Sequence, residues 1–171
     1  MNILLYMGSP HLNGNTAALA KAFQEGAEEA GHEVTVFNVA KMKISGCLAC
    51  DYCMTKGNGN CIQQDDMQQI LPLLKETDMV VFASPIYYFT MSAQIQAAIQ
   101  RTYCMVKPPK LKYGALLLSS ADECVYDGAI AEMRDMMDYF EAENLGVITA
   151  FGSENKSDSK LEEVRAFARA L

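Results

Sequence analysis

Four cysteines lie within fifteen residues, Cys47, Cys50, Cys53 and Cys61, in the pattern C-x2-C-x2-C-x7-C. Thiolates at three-residue intervals, with a fourth returning across a Gly- and Asn-rich stretch, suit a [4Fe–4S] cluster. Four thiolates also suit a closed tetrahedral zinc site. The pattern is equally compatible with a redox disulfide or with cysteines that hold no metal. All four interpretations stay open at this point.

A second group of residues suited to chemistry is Gly8–Thr16, with the sequence GSPHLNGNT. Its two glycines let backbone amides approach a ligand closely, and Asn15 and Thr16 are good residue types for a helix N-cap. Free N–H groups at a helix N-terminus bind phosphate. The dinucleotide fingerprint G-x-G-x-x-G is absent, and Asn15 stands where a P-loop requires Lys. The segment is therefore predicted to anchor a phosphate, the alternative being a plain capped turn.

A third group is aromatic: Tyr87, Tyr88 and Phe89 follow the segment Ser84–Ile86. Large aromatic side chains are costly to leave in water, so these should cover a flat ring or seal a contact. An isoalloxazine ring satisfies both requirements, and a dimer contact or a satellite of the core is the alternative. A small polar stretch, 119–123, is placed to touch the other side of such a ring.

The elements that must position these loops alternate along the chain. Five short apolar runs predict strands, over 2–7, 34–39, 79–83, 115–118 and 147–151. Apolar stripes at helical spacing separate or follow them, at about 16–30, 67–74, 95–102, 130–140 and 161–171. This alternation predicts an α/β three-layer sandwich with a five-stranded parallel sheet. In the order 2-1-3-4-5, ligands bind beyond the ends of strands one and three, where the second and third groups lie.

Length and composition narrow the possible classes of protein. A chain of 171 residues is expected to form a single domain, 1–171, with a Cys-rich loop at about 44–65. The net charge of −7 argues against a nucleic-acid partner. The chain starts directly in an apolar strand, and no apolar run is long enough to span a bilayer. A cytoplasmic protein without a membrane partner is therefore expected.

Three ordered motifs resemble the NAD(P)H-dependent FMN reductases of the flavodoxin superfamily. Gly8–Thr16 resembles their G-S-P-R-x-x-G-N-T phosphate loop. Ser84–Arg101 resembles their P-I-Y-x-x-x-M-S-A-Q-x-x-A-x-x-D-R segment. Gly46–Met67 resembles the G-C-x-x-C-x-x-C…C…D-D-M segment of the branch that includes the iron–sulfur flavoproteins. The resemblance implies a flavodoxin-like fold with FMN as cofactor.

The resemblance also implies which residues form the FMN site. The FMN phosphate would be held by Ser9, His11, Asn13, Gly14, Asn15 and Thr16. The ring and ribityl chain would be flanked by Pro85, Ile86, Tyr87, Tyr88 and Phe89, with Ala121 and Asp122 completing the pocket. The chain departs from the family at His11, where Arg is usual, and at Gln100, where Asp is common. His11 is the weaker and pH-dependent phosphate partner.

The expected function is transfer of electrons from NAD(P)H through FMN to a flavin, a quinone or another small acceptor. The flavin performs that chemistry, so no catalytic side chain is nominated. One alternative is a non-enzymatic electron-transfer protein with FMN and a [4Fe–4S] cluster. A second alternative is a zinc-bearing interaction module on the same fold. The resemblance and the aromatic group favour a homodimer or homotetramer.

Overall fold

The computed structural model describes residues 1–171 and contains one mostly parallel sheet. Its strands are β1 (Asn2–Met7), β2 (Glu33–Phe37), β3 (Met79–Tyr87), β4 (Thr90–Met91), β5 (Tyr113–Ser120) and β6 (Glu143–Phe151). Five strands are parallel in the order β2-β1-β3-β5-β6, which confirms the predicted order 2-1-3-4-5. The two-residue strand β4 was not predicted. It pairs antiparallel with the end of β3 because the chain turns back over residues 88 and 89.

Helices cover both faces of this sheet. They are α1 (Asn15–Glu29), α2 (Tyr52–Thr55), α3 (Met67–Leu74), α4 (Ala93–Arg101), α5 (Asp127–Phe140) and α6 (Asp158–Arg169). Successive strand residues point to opposite faces, so Leu4 and Leu5 of β1 serve different cores. Leu5 belongs to the core cluster that includes Phe23 of α1 and residues of α6, whereas Leu4 belongs to the cluster that includes Ile95 of α4 and residues of α3 and α5. None of the helices combines the length and the apolar character needed to cross a membrane.

Helix α1 matches its predicted span within one residue at each end. It ends at Glu29, Ala30 is its C-cap residue, and Gly31 adopts a φ of +83° just beyond it. Ala30 is exposed, so it does not belong to the buried stripe. At Gly26, α1 lies directly against α6, where a Cβ atom would be 2.4 Å from the carbonyl oxygen of Arg165. This close approach fixes the position of α1 and hence of its N-terminus.

Candidate functional site

The carboxyl ends of β1, β3, β5 and β6 open onto one cavity of about 630 Å³. It is lined by Ser9, His11, Gly14, Asn15, Thr16, Pro85, Ile86, Tyr87, Ser119, Ser120, Ala121, Gly152 and Asn155. Loops that follow parallel strands meet at this edge of the sheet, which brings two of the predicted groups together. The volume lies within the range of small-molecule and cofactor sites. We name it the strand-end cavity.

The segment 8–16 bends sharply at the mouth of this cavity. The N–H of Gly8 donates to the carbonyl of Ala83 at 2.8 Å, which ties the start of the loop to β3. His11 donates its N–H to Oγ of Ser9 at 3.3 Å, and its carbonyl accepts from the N–H of Gly14 at 2.9 Å. A Cβ atom at Gly14 would lie 3.0 Å from that carbonyl oxygen. The tight turn leaves little room for a side chain there.

Helix α1 begins at this turn with unused backbone donors. Gly14 is its N-cap residue, and no side chain caps the helix. The N–H groups of Asn15, Thr16 and Ala17 have no acceptor within the helix because they belong to its first turn. The positive end of the helix and these three donors together form a cradle for an anion.

Hydroxyl groups from β5 form another part of the cavity wall. The Oγ1 of Thr16 and the Oγ of Ser119 lie 2.7 Å apart, and both residues are buried. The Oγ of Ser120 lies 2.6 Å from the hydroxyl of Tyr126, which donates to the carbonyl of Ala150 at 2.9 Å. Burial raises the pKa of Tyr126, the hydrogen bond with Ser120 opposing it, so this hydroxyl stays neutral. The polar wall is therefore fixed without a charge of its own.

The remaining wall is the turn Gly152–Lys156 after β6, which sequence reasoning did not assign to the site. Asn155 is only 2% exposed, and its Nδ2 donates to the carbonyls of Ser120 and Gly152. Its Oδ1 has no partner in the protein. The Nζ of Lys156 donates to the carbonyl of Asn13 at 2.6 Å, across the mouth of the cavity. In the sequence, Gly152 directly after the apolar residues of β6 is a feature that could have indicated a turn at the cavity.

Four predicted site residues do not line the strand-end cavity. Tyr88 and Phe89 form the turn between β3 and β4, with φ of +47° and +67°. Tyr88 is 96% exposed and Phe89 is 59% exposed, because the turn carries them away from the cavity. Asn13 and Asp122 are exposed as well. Asn13 still contributes its carbonyl at the mouth.

The four cysteines of the C-x2-C-x2-C-x7-C segment line a second cavity, of about 20 Å³, together with Cys104 and Arg101. All are free thiols. No set of three or more Cys, His, Asp or Glu side chains is arranged as a metal-ion site, so the sulfurs share this cavity without converging on one point. Burial, followed by the nearby Cys61 and Cys53, raises the pKa of Cys104 to about 11. Cys104 is therefore a neutral thiol behind the segment.

A buried ion pair closes the base of the cysteine loop, which we define as residues 46–62. The guanidinium of Arg101 is 1% exposed and binds the carboxylate of Asp65. It also donates to the carbonyl of Ser45 at 3.0 Å and to that of Gln63 at 3.4 Å. Burial opposes both charges, but their mutual hydrogen bond raises the pKa of Arg101 and lowers that of Asp65. Both ends of the loop are thus tied to one cation.

Comparison with known proteins identifies the family. The model of the family described as NADPH-dependent FMN reductase matches residues 1–156. The chain belongs to this family. Membership confirms the resemblance to the NAD(P)H-dependent FMN reductases that was drawn from the motifs.

Proteins that are similar to the chain in sequence or in structure fit this family and its fold. An iron-sulfur flavoprotein of Archaeoglobus fulgidus is 35% identical over 114 residues, which cover 66% of this chain and 51% of that protein. The chain thus spans about half the length of this curated relative. An azoreductase from Bacillus anthracis superposes with a TM-score of 0.73 at 18% identity and full coverage of both chains. A flavodoxin from the domain Archaea superposes with a TM-score of 0.63 at 18% identity, and the match covers 99% of this chain and 94% of the flavodoxin chain. The flavodoxin-like fold is confirmed.

Proposed function

We propose that this family member binds FMN in the strand-end cavity and passes electrons from NAD(P)H to a small acceptor such as a flavin or a quinone. The observation that carries the proposal is the set of backbone N–H donors without a protein partner at the N-terminus of α1, placed at a cavity of cofactor size. Three free N–H groups at a helix N-terminus suit an anion such as a phosphate group. Asn155, whose buried Oδ1 has no hydrogen-bond donor in the protein, lines the same cavity.

The residues around the cavity have separable tasks in this proposal. Asn15 and Thr16 present backbone donors to the phosphate, while Pro85 and Tyr87 flank the ring from the end of β3. Ala121 borders the ring from the β5 side. Bound FMN supplies the redox chemistry, and the chain binds it, orients it and shields one face from water.

An anaerobic absorption spectrum tests the proposal. The purified protein should be yellow, release FMN on denaturation, and lose its flavin absorbance when NADH or NADPH is added. Thr16→Val should weaken FMN binding about tenfold, because it leaves the buried Ser119 hydroxyl without its hydrogen-bond partner. Thr35→Val makes the same chemical change on β2, outside this cavity, and should leave FMN affinity unchanged. Wild-type protein that binds no FMN, even in excess, contradicts the proposal.

A second candidate is an electron-transfer protein that holds a [4Fe–4S] cluster beside its FMN. It is favoured by the cavity that Cys47, Cys50, Cys53 and Cys61 share, and by the buried Nε of Arg101, which has no protein acceptor in that region. Such a donor suits the negative sulfur of a thiolate-ligated centre. Flavin that dithionite reduces but nicotinamides do not would favour this candidate over the first.

Iron and acid-labile sulfide, measured after anaerobic reconstitution, test the cluster itself. Cys53→Ser should abolish iron binding, while Cys124→Ser, at an exposed cysteine outside the second cavity, should retain it. Equal iron content in the two variants would refute a cluster held by these four thiolates.

We also propose that the chain assembles as a homodimer or homotetramer in the cytoplasm. The turn formed by Tyr88 and Phe89 exposes aromatic surface, which supports burial in a subunit contact. The cysteines of the chain are free thiols, which is the state expected in a reducing compartment such as the cytoplasm. Light scattering of the purified protein tests the assembly, and a strictly monomeric mass would contradict it.

A further inference from the structure

The phosphate cradle lacks a fixed positive charge of its own. Segment 8–16 contains no Lys or Arg, and its single basic side chain, His11, stands where the resembled family has Arg. The chain as a whole carries a net charge of −7. A phosphate dianion bound only by amides and hydroxyls would therefore enter an unfavourable long-range potential. A cation from elsewhere in the fold would correct this.

Lys156 is positioned to supply that cation. Its Nζ lies 2.6 Å from the carbonyl oxygen of Asn13, one residue before the N-cap residue of α1. Its neighbour Lys160 is already paired with Glu154 and Glu163. Lys156 has no carboxylate within ion-pair distance, and its recorded partner is the neutral carbonyl of Asn13. Its charge is therefore available to an anion at the cradle.

Asn155 gives an independent indication that a ligand passes over the same turn. Its side chain is almost fully buried and lines the strand-end cavity. The Nδ2 has two backbone acceptors, but the Oδ1 has no donor in the protein. Buried carbonyl oxygens in folded proteins nearly always accept a hydrogen bond. The oxygen is enclosed by protein atoms, so a ligand hydroxyl reaches it only if the turn shifts when the ligand binds.

We propose that the turn Gly152–Lys156 is a fourth FMN-binding segment, in which Lys156 pairs with the phosphate and makes the site select FMN over riboflavin. This inference rests on the proposed FMN site and adds a specificity residue to it. On binding, the ammonium exchanges the carbonyl of Asn13 for phosphate oxygens, which are stronger acceptors because they are charged.

Affinities for FMN and for riboflavin, measured by quenching of flavin fluorescence, test this proposal. At low ionic strength, Lys156→Gln should weaken FMN binding about tenfold and riboflavin binding less than about twofold. Lys156→Arg should restore FMN affinity to within about threefold of wild type, because the charge is kept. Lys21→Gln removes one positive charge from an exposed position further along α1 and should change neither affinity more than about twofold. Added salt should reduce the preference of the wild type for FMN.

The possible outcomes separate this inference from the proposal on which it rests. If Lys156→Gln weakens FMN and riboflavin equally, Lys156 acts only on the structure of the turn and the inference is overturned. If it changes neither affinity, or if Lys21→Gln has the same effect on FMN, the inference is overturned as well. A wild-type protein that binds riboflavin and FMN equally tightly refutes the charge selection while leaving the cavity a flavin site. A wild-type protein that binds neither flavin refutes the FMN site itself.

Discussion

Replacement of Arg101 by Met should open the base of the cysteine loop and destabilise the whole fold. The side chain of Arg101 is fully buried, and that of Asp65 is 17% exposed. Met fills much of the same volume but removes the bonds to the carbonyls of Ser45 and Gln63. It also leaves the carboxylate of Asp65 without its cation.

The expected cost follows from these contacts. Removing one partner of a buried ion pair costs about 3–5 kcal/mol. Asp65 keeps its backbone donors at Ser45 and Met67 and some contact with water, so we expect the lower end, about 3 kcal/mol. For a chain of this size, that loss corresponds to a fall in melting temperature of roughly 6–12 °C.

Urea denaturation of four proteins measures this effect. Arg101→Met and Asp65→Asn are compared with the double variant and with wild type. The double variant should be more stable than the sum of the single effects predicts, by at least about 1.5 kcal/mol, because it leaves no unpaired charge. Arg134→Met breaks an exposed pair with Asp135 and should cost less than about 0.5 kcal/mol.

The pH dependence gives a further check on the same pair. The pKa of Asp65 is lowered in the folded protein, with burial opposing the shift and the Arg101 hydrogen bond outweighing it. Its contribution to stability is therefore present above the unfolded pKa of about 4 and is lost as the pH falls through the folded value. The gap between wild type and Arg101→Met should narrow below about pH 4. Equal, small effects of Arg101→Met and Arg134→Met at neutral pH would refute this reasoning.

Two further predictions concern other parts of the fold. Gly26→Ala should destabilise the protein by about 1–3 kcal/mol despite the better helix propensity of Ala, because the new methyl group would meet the backbone of Arg165 at 2.4 Å. Urea denaturation measures this, and a neutral or stabilising result would contradict the contact between α1 and α6. The double change Tyr88→Asn with Phe89→Gly should raise the melting temperature of the monomer, measured at protein concentrations where light scattering shows no assembly, because Asn and Gly tolerate the positive φ of this turn. The expected gain is about 1–2 kcal/mol, and lower thermal stability would show that the aromatic pair stabilises the turn.

The layers of the fold were predictable because local patterns determine them. Buried apolar runs such as Ile3–Met7 can only be strands covered on both sides, and stripes such as that of α3 fix the buried helix face. The cradle at Gly14 was predictable for the same reason, since turn, cap and helix are adjacent in sequence. The motifs shared with the FMN reductases then indicated FMN as the cofactor.

Other parts of the site depend on contacts between distant residues. Asn155 reaches the cavity, and Lys156 reaches Asn13, only because β6 lies beside β5 at the edge of the sheet. The turn at Tyr88 and Phe89 opposes local preference, since bulky residues rarely adopt positive φ. No pattern in the sequence indicates such a turn. Likewise, the role of Arg101 at the base of the cysteine loop depends on partners 36 to 56 positions away.

The ion pair of Arg101 and Asp65 holds both ends of the cysteine loop, so the loop is an insert between two fixed points of the fold. Since the residues that hold its ends lie outside it, the length of the loop and the number of its cysteines can change in evolution while the sheet stays the same. The strand-end cavity draws none of its walls from the insert. The loop can therefore change in length or in sequence while the pocket at the strand ends is kept.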